Sequence, residues 1–451
     1  MAEFLNEAQL EAKWGDVLDE SSSGAIKESH RRKVTAVVME NTERAMQSQR
    51  ESLNETVPGS STANVSNYDP VLIGLIRRAM PKLIAFDLIG VQPMTMPTGL
   101  VFALRSRYTN NSGAEALFNE ANPLFSGGDT NSSGTDSVGT GPVDAANGLN
   151  PWTATTNFTN GSGTPSTAGG LGVSTAAGED FGYGTSLNSM TFTIEKQTVT
   201  AKERALQAGY TVELAQDLKA VHGLDAESEL SNLLSNEVIA EINREIVRTL
   251  YTVAVTGAQT NTQTAGTFDL DVDSNGRWSV ERFKGLMFQI EREANRVAQT
   301  TRRGRGNFIL ASADVASALA MAGKLDIGGL GGKETLDVDD TGNTFVGVLN
   351  GKYKVYIDPY MANGDANQFA LVGYKGPSAF DAGMFYCPYV PLTMYKAIDP
   401  QNFQPRIAFK TRYGIAGNPL NGANQASASG TFNLVGQSNF YYRLMRVTNI
   451  A

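Results

Sequence analysis

With 451 residues, 41% of them hydrophobic, the chain is long enough to bury a sizeable core and to divide into two or more subdomains. A formal charge of -9 and a pI near 5.0 argue against a surface whose net field condenses on nucleic acid, because phosphate binding needs a cationic footprint; only a local basic patch stays open. A single cysteine, Cys387, rules out an intrachain disulfide, and two histidines far apart in sequence, His30 and His222, leave little room for a His/Cys metal cluster, although carboxylate sites remain.

The opening residues lack a basic start followed by an apolar stretch, and no run of 18 apolar residues occurs, so neither a secretory signal nor a membrane span is expected. Residues 1–55 hold seven Lys/Arg and eleven Asp/Glu. Val34, Val38, Ala45 and Met46 suggest an amphipathic helix there rather than core, too weakly hydrophobic to fold alone. The segment ends at Leu53, Asn54 and Glu55, and from Thr56 to Asn67 a Pro/Gly/Ser/Thr/Asn stretch reads as extended and open to a protease. A removable or partner-binding segment stands beside the plainer reading of a helical extension and linker.

Val71–Pro81 reads as a short amphipathic helix stopped by proline. Val101–Tyr108 alternates as a strand, and Met190–Ile194 with Gln197–Thr200 has strand chemistry again. Between them, from Thr109 to Glu195, there is no lysine or arginine, and Gly, Ser, Thr, Asn and Ala dominate. Such a segment buries little apolar surface, so residues 109–190 form an exposed insertion carried on a long β loop. Arg77, Arg78, Arg105 and Arg107 suit contact with an acidic neighbouring subunit or a phosphate, with ordinary ion pairs as the default.

Residues 202–255 are the strongest helical region, and Leu230, Leu234, Val238, Ile242, Ile246 and Leu250 recur every four residues to face a core. On the opposite face, Glu241 with Arg244 and Glu245 with Arg248 are spaced to pair across a turn, whereas a catalytic or metal role for the Glu237, Glu241, Glu245 row has no histidine to support it. A second helix runs from Val280 to about Thr300, and Arg302–Gly306 then makes a helix-to-strand turn, its basic residues offering at most a weak phosphate grip. Strands follow at Thr344–Leu349, Tyr353–Asp358, Phe369–Tyr374 and Met384–Tyr386, with more β structure after Ala408. Sheet and helices in separate stretches give an α+β class.

Asp271, Asp273 and Asn275, with Gly276, imitate the start of a calcium-binding loop, but position twelve is Arg282 rather than glutamate, so an Asx- and Gly-rich turn is the better reading. Glycine-rich stretches at 331–334 and 347–352 lack the spacing and the hydroxyl residue of a phosphate loop. His222 before Gly223 fits a helix end, and Cys387, in an apolar setting, fits a small core residue. No enzyme signature, catalytic residue, metal site or cofactor site survives.

Several blocks resemble the major capsid proteins of tailed bacteriophages with T4-like heads: RRAMPKLIAFD (77–87), VQPM (91–94), PTGLVFALR (97–105), ELAQDLKAVHG (213–223), EINRE (241–245), GKYKVYID (351–358) and FKTRYGI (409–415). They run in family order across most of residues 68–451. The resemblance implies an HK97-like capsid fold with an N-terminal arm, a long β loop carrying an insertion, a peripheral domain with a spine helix, and an axial domain. In this frame residues 1–55 are a scaffold-interacting propeptide-like segment and 56–108 the arm and start of the β loop. Residues 109–190 are the insertion, 191–306 the peripheral domain with a spine helix near 228–255, 307–400 the axial domain and 401–451 a return to the peripheral domain.

The resemblance further implies removal of the N-terminal segment by a prohead protease after a glutamate, which places the candidate cleavage at Leu53, Asn54, Glu55 and Thr56. The implied role is a non-catalytic subunit that self-assembles into hexamers of an icosahedral head around double-stranded DNA, without sequence-specific binding. The implied partners are a scaffold protein, the protease, a vertex protein and decoration proteins, with assembly in the host bacterial cytoplasm. The alternatives are a pentameric vertex subunit of the same fold, a fibre or receptor-binding protein suggested by the polar insertion, and a calcium-dependent enzyme using the 271–276 loop.

Overall fold

A computed structural model of the chain describes residues 7–19, 26, 28–54, 80–113, 115–117, 125–126, 175–180, 188–274, 276, 278–322, 325–326, 337–338, 344–361, 368–399, 401–420 and 436–450. The proline-stopped helix expected at 71–81 lies largely outside these residues; only its end, a 3-10 turn at Met80–Lys82, is described. At the N-terminus α1 (Glu7–Asp19) and α2 (Ser29–Asn54) form an antiparallel hairpin. Lys13 Nζ reaches Glu40 at 2.8 Å and Glu43 at 2.6 Å, while Arg32 grips both oxygens of Asp19 at 2.5 and 2.9 Å.

The expectation that this segment stays out of the core is overturned. Every residue from Val34 to Thr42 is buried, so more than two turns of α2 are covered on all sides. Leu10, Trp14 and Leu18 of α1 and Val34, Val37, Val38 and Met39 of α2 join the main apolar cluster. Sequence hydrophobicity underestimates this because Thr35, Glu40, Asn41 and Thr42 are buried with them, each with a hydrogen-bond or ion-pair partner.

Among the described residues, three sheets carry the rest. The first orders β1 (Gly90–Val91), β13 (Met384–Ile398), β14 (Pro405–Gly417) and β4 (Lys202–Gly209). The second orders β5 (Ala254–Thr256), β15 (Asn439–Thr448), β12 (Gln368–Gly373), β7 (Phe308–Ala311), β11 (Tyr353–Ile357), β10 (Thr344–Leu349) and β8 (Leu325–Asp326), with β6 (Thr267–Asp269) beside β15 and β9 (Asp337–Val338) beside β10. The third is a two-stranded ribbon, β2 (Thr98–Tyr108) and β3 (Met190–Thr200). This is a mixed α+β chain, and the expected strands of the final third are present.

Two assignments differ from the sequence reading. Residues 202–209 are strand β4, not the start of a helix: β14 offers a partner edge along its length, from Tyr413↔Lys202 to Arg406↔Gly209, and tertiary pairing overrides helical propensity. Strand β13 continues to Ile398 through Pro388 and Pro391, whose missing donors are accommodated by register shifts at 388–390 and 390–393.

Helix α3 (Val212–His222) starts on Thr211, whose hydroxyl accepts from the Leu214 amide, and stops at Gly223 with φ of 66°, leaving His222 in its last turn. Helix α4 (Ala226–Val253) buries Leu234, Val238, Ile242, Ile246 and Leu250 as the four-residue spacing requires. Helix α5 (Ser279–Thr301) buries Phe283, Leu286, Ile290 and Ala294 in a second apolar cluster, shared with α6 (Ala313–Met321), and Val297 in the main one.

The charged side of α4 does not pair along the helix as its spacing suggests; it fastens the helix to both large sheets. Arg204 of β4 reaches Glu241 at 3.1 Å and Glu245 at 2.6 Å, and the Tyr413 hydroxyl donates to Glu245. Toward the second sheet, Arg244 Nη1 meets Asp358 at 2.6 Å and the Tyr251 hydroxyl donates to the same carboxylate at 2.8 Å.

Candidate assembly surfaces

The ribbon is the feature that the fold presents outward. Its eleven residue pairs run in unbroken register from Thr98↔Thr200 to Tyr108↔Met190. Alternation then sorts the side chains onto two faces. One face holds Leu100, Phe102 and Leu104 of β2 with Met190, Phe192 and Ile194 of β3, each between 48% and 63% exposed. Six large apolar side chains in a contiguous row are more than scattered surface hydrophobes.

The other face holds the two described arginines of the predicted contact set, turned inward on their own chain. Arg105 meets Glu195 at 3.3 Å and Glu115 at 3.5 Å, and donates to the Leu420 carbonyl at 3.2 Å. Arg107 meets Glu195 at 3.3 Å and donates to Thr193 Oγ1 at 3.1 Å and the Gly113 carbonyl at 2.9 Å. Burial drives the Glu115 carboxyl above the usual range, against the pull of Arg105. The arginines stiffen the ribbon, while the apolar face missed by sequence reasoning is left for contact. Its signal was the strict alternation of Leu100, Phe102 and Leu104, opposite a β3 sequence whose apolar residues share the same parity. Arg77 and Arg78 lie outside the described residues.

At its base the ribbon leans on the first sheet. Val101 and Val199 pack with Met94, Phe385, Cys387 and Ala416 in a small separate cluster. Gly414 permits this approach: a Cβ there would lie 2.5 Å from Val199 Cγ1. Cys387 is the buried small residue expected, and burial pushes its thiol up to about 12, which suppresses thiolate chemistry. Beyond the tip, only parts of the 109–190 insertion are described, including a helical turn at Thr175–Glu179 and a Tyr108–Phe125 ring contact at 4.5 Å.

Of the candidate cleavage residues, Leu53 and Asn54 end α2, and Glu55 and Thr56 lie outside the described residues. The calcium-like loop proves to be a turn closed by its own acids. Asp273 accepts from the amides of Gln263 at 2.9 Å and Asp269 at 3.0 Å, and Asp271 pairs with Arg282, the residue that replaces glutamate at position twelve. Asn275 lies outside the described residues, and among those described no group of three acids, histidines or cysteines is placed to hold a metal. The basic turn after α5 is likewise engaged: Arg305 meets Glu291 at 2.8 Å and Arg303 lies 3.8 Å from Asp381.

Comparison with known proteins bears on the role of the chain. A family model described as Major capsid protein Gp23 matches residues 65–447. The major capsid protein of Vibrio phage KVP40 is 41% identical over 409 residues, covering 80% of this chain and 78% of that protein. That of Salmonella phage ViI is 39% identical over 430 residues, covering 93% and 92%. A capsid vertex protein, from Enterobacteria phage T4, is 30% identical over 244 residues, covering 51% of this chain and 53% of that protein. A chain from the capsid of Myoviridae Phage XM1 overlays with a TM-score of 0.38 at 10% identity, covering 80% of this chain and 91% of that one, too low a score to add weight. The chain belongs to the Gp23 family of phage major capsid proteins, structural components of the virion head with no catalytic role.

Proposed function

We propose that the chain is the hexamer-forming subunit of an icosahedral head that encloses double-stranded DNA, matured by cleavage between Glu55 and Thr56. The observation that carries the assembly reading is the exposed apolar face of the β2–β3 ribbon. An isolated subunit pays for such a row in solubility, whereas around a closed symmetry axis each copy's ribbon is covered by the next and one modest contact is repeated throughout the shell. The ribbon then acts as the extended β loop and α4 as the spine of an HK97-like fold. Residues 191–306 and 401–451 make up the peripheral domain, 307–400 the axial domain, 56–108 the arm and start of the loop, and 109–190 the insertion.

Processing is supported by the sequence, in which Leu53, Asn54 and Glu55 precede a Pro/Gly/Ser/Thr/Asn stretch from Thr56 to Asn67 that reads as extended and open to a protease. Excision of residues 1–55 takes away eleven acidic and seven basic residues, so the remaining chain carries -5 instead of -9 and repels packaged DNA less. A scaffold protein and a prohead protease act before that step, and a vertex protein and decoration proteins complete the shell. A pentameric vertex subunit is the second reading, kept because a vertex protein matches half of the chain. Electron microscopy of native particles with intact-mass analysis tests the proposal. Hexamers of chains beginning at Thr56 support it, chains confined to fivefold vertices transfer the protein to the vertex role, and full-length chains in filled heads remove the processing step.

A further inference from the structure

One side chain of the N-terminal hairpin reaches the place where the ribbon is hinged to the body. Asn41, 6% exposed, donates from Nδ2 to the Met94 carbonyl at 2.7 Å and to the Tyr389 carbonyl at 2.9 Å. Met94 lies in the connector that enters β2, four residues before Thr98, and its own amide donates to the Pro388 carbonyl at 2.9 Å. Tyr389 lies in the first register shift of β13, between Pro388 and Val390, where the ladder has no regular partner for it. A single amide group from α2 therefore satisfies one carbonyl on each side of the ribbon's attachment.

The ribbon has room to turn about this point. A cleft of about 200 Å³ opens beneath its base, lined by Pro93, Met96, Gly99, Val101, Val199 and Cys387 among others. Apart from the small cluster on Val101 and Val199, the base is held by backbone hydrogen bonds of the connector, such as Ala201 N to Pro97 O at 2.8 Å. We propose that Asn41 is a positioning residue, a latch by which the N-terminal hairpin fixes the angle of the assembly ribbon. Departure of the hairpin frees the ribbon base, and the coupling holds whether or not residues 1–55 are excised in the mature particle.

Hydrogen exchange measured by mass spectrometry on the full chain tests the latch, comparing wild type with Asn41→Ala, Asn41→Asp and Thr42→Val. Asn41→Asp keeps the size and removes both donors. Thr42→Val is the control, because Thr42 is equally buried on the same helix but donates only to the Val38 carbonyl of α2. In both Asn41 variants the amides of Met94 and Ala201 are expected to exchange about tenfold or more faster, with α5 unchanged and Thr42→Val like wild type at the ribbon base. Unchanged exchange at the base in the Asn41 variants overturns the latch. So does equal acceleration by Thr42→Val, which would mark general loosening. If Asn41→Ala releases the whole hairpin, seen as rapid exchange throughout α2, the ribbon base must accelerate with it; a base still protected under those conditions also overturns the proposal.

Discussion

Phe192→Asp tests the assembly face most directly. Phe192 is 63% exposed at the centre of the row formed with Phe102, Leu104 and Ile194, which are 62% to 63% exposed. Burying a fully exposed side chain of this size is worth about 1.5–3 kcal/mol. With roughly two-thirds of that surface still in water, each of the four offers about 1–2 kcal/mol on coverage by a neighbour, or about 4–8 kcal/mol per ribbon. The aspartate variant would forfeit one of these contributions and leave an unpaired carboxylate under the neighbour, a further cost of at least about 1–3 kcal/mol. At about 1.4 kcal/mol per decade, the combined loss raises the concentration needed for assembly at least about 30-fold. Sedimentation and negative-stain microscopy read the assembly, and a circular-dichroism melt checks the fold, which should be unchanged because the site is exposed. Gln197→Ser, on the half-buried arginine-bearing face, should assemble normally. Normal assembly of Phe192→Asp at wild-type concentration would refute the assignment of the apolar face as the covered one.

Gly414→Ala places a methyl 2.5 Å from Val199 Cγ1 and 3.0 Å from the Thr200 carbonyl, and should cost about 1–3 kcal/mol as a lowered melting temperature; an unaltered melt contradicts the close approach. Arg443→Met leaves Glu293 buried, still accepting from Ala258 N at 3.0 Å and Gln289 at 2.9 Å but without its cation at 2.9 Å. A loss of about 3–5 kcal/mol in chemical denaturation is expected, partly recovered by adding Glu293→Gln. Acid should loosen the hairpin. His30 is held below its ordinary pKa by burial and then by Lys375, with Glu28 opposing and Lys33 adding to the effect. Its contribution to docking is complete above the unfolded value and is lost as the pH falls below it. Lys375, pushed down to about 8 chiefly by burial and facing Asp87, Glu28, Arg31 and Lys354, acts in the same direction on the alkaline side. Exchange of α2 amides should therefore quicken between about pH 7.5 and 5.5 beyond its intrinsic pH dependence in wild type and much less in His30→Gln; equal response of the two excludes His30 as the source.

Regular patterns with one dry face were legible. The four-residue stripe of α4 and the alternation of Val101–Tyr108 in β2 are both present, because in each the periodicity of burial equals the periodicity of the element. Elements decided by a distant partner were not. Lys202–Gly209 has helix-forming composition, yet Glu203 pairs with Lys410 at 2.7 Å and Arg204 reaches α4, so its conformation is set by β14 and α4 rather than locally. Residues 34–42 were misjudged for a related reason: a segment buried on every face has no amphipathic period to read, and its buried polar side chains lower the apparent hydrophobicity. At the assembly surface, the sequence drew attention to the arginines because charge is conspicuous. The geometry shows Arg105 and Arg107 satisfied within the chain, and leaves the quieter apolar residues as the ones with unmet contacts.

The hairpin's own chemistry explains how one segment can be core in the full chain and still be separable from it. The charged links between its helices, Lys13 with Glu40 and Glu43 and Arg32 with Asp19 and Glu11, join α1 to α2 and travel with them. Its polar ties to the body include Asn41 to two carbonyls, Arg31 to Asp87 at 3.2 Å and a hydrogen bond between His30 and the Val91 backbone. The apolar contact that completes the docking is non-directional and holds only while the hairpin stays in place. A covalent connection at residue 55 keeps the hairpin at a high local concentration, so modest contacts suffice to seat it. Cutting that connection would remove the concentration term without touching a single contact. On this reasoning the proposed cleavage needs to break no part of the fold to release the ribbon base; it only has to make an intramolecular association bimolecular.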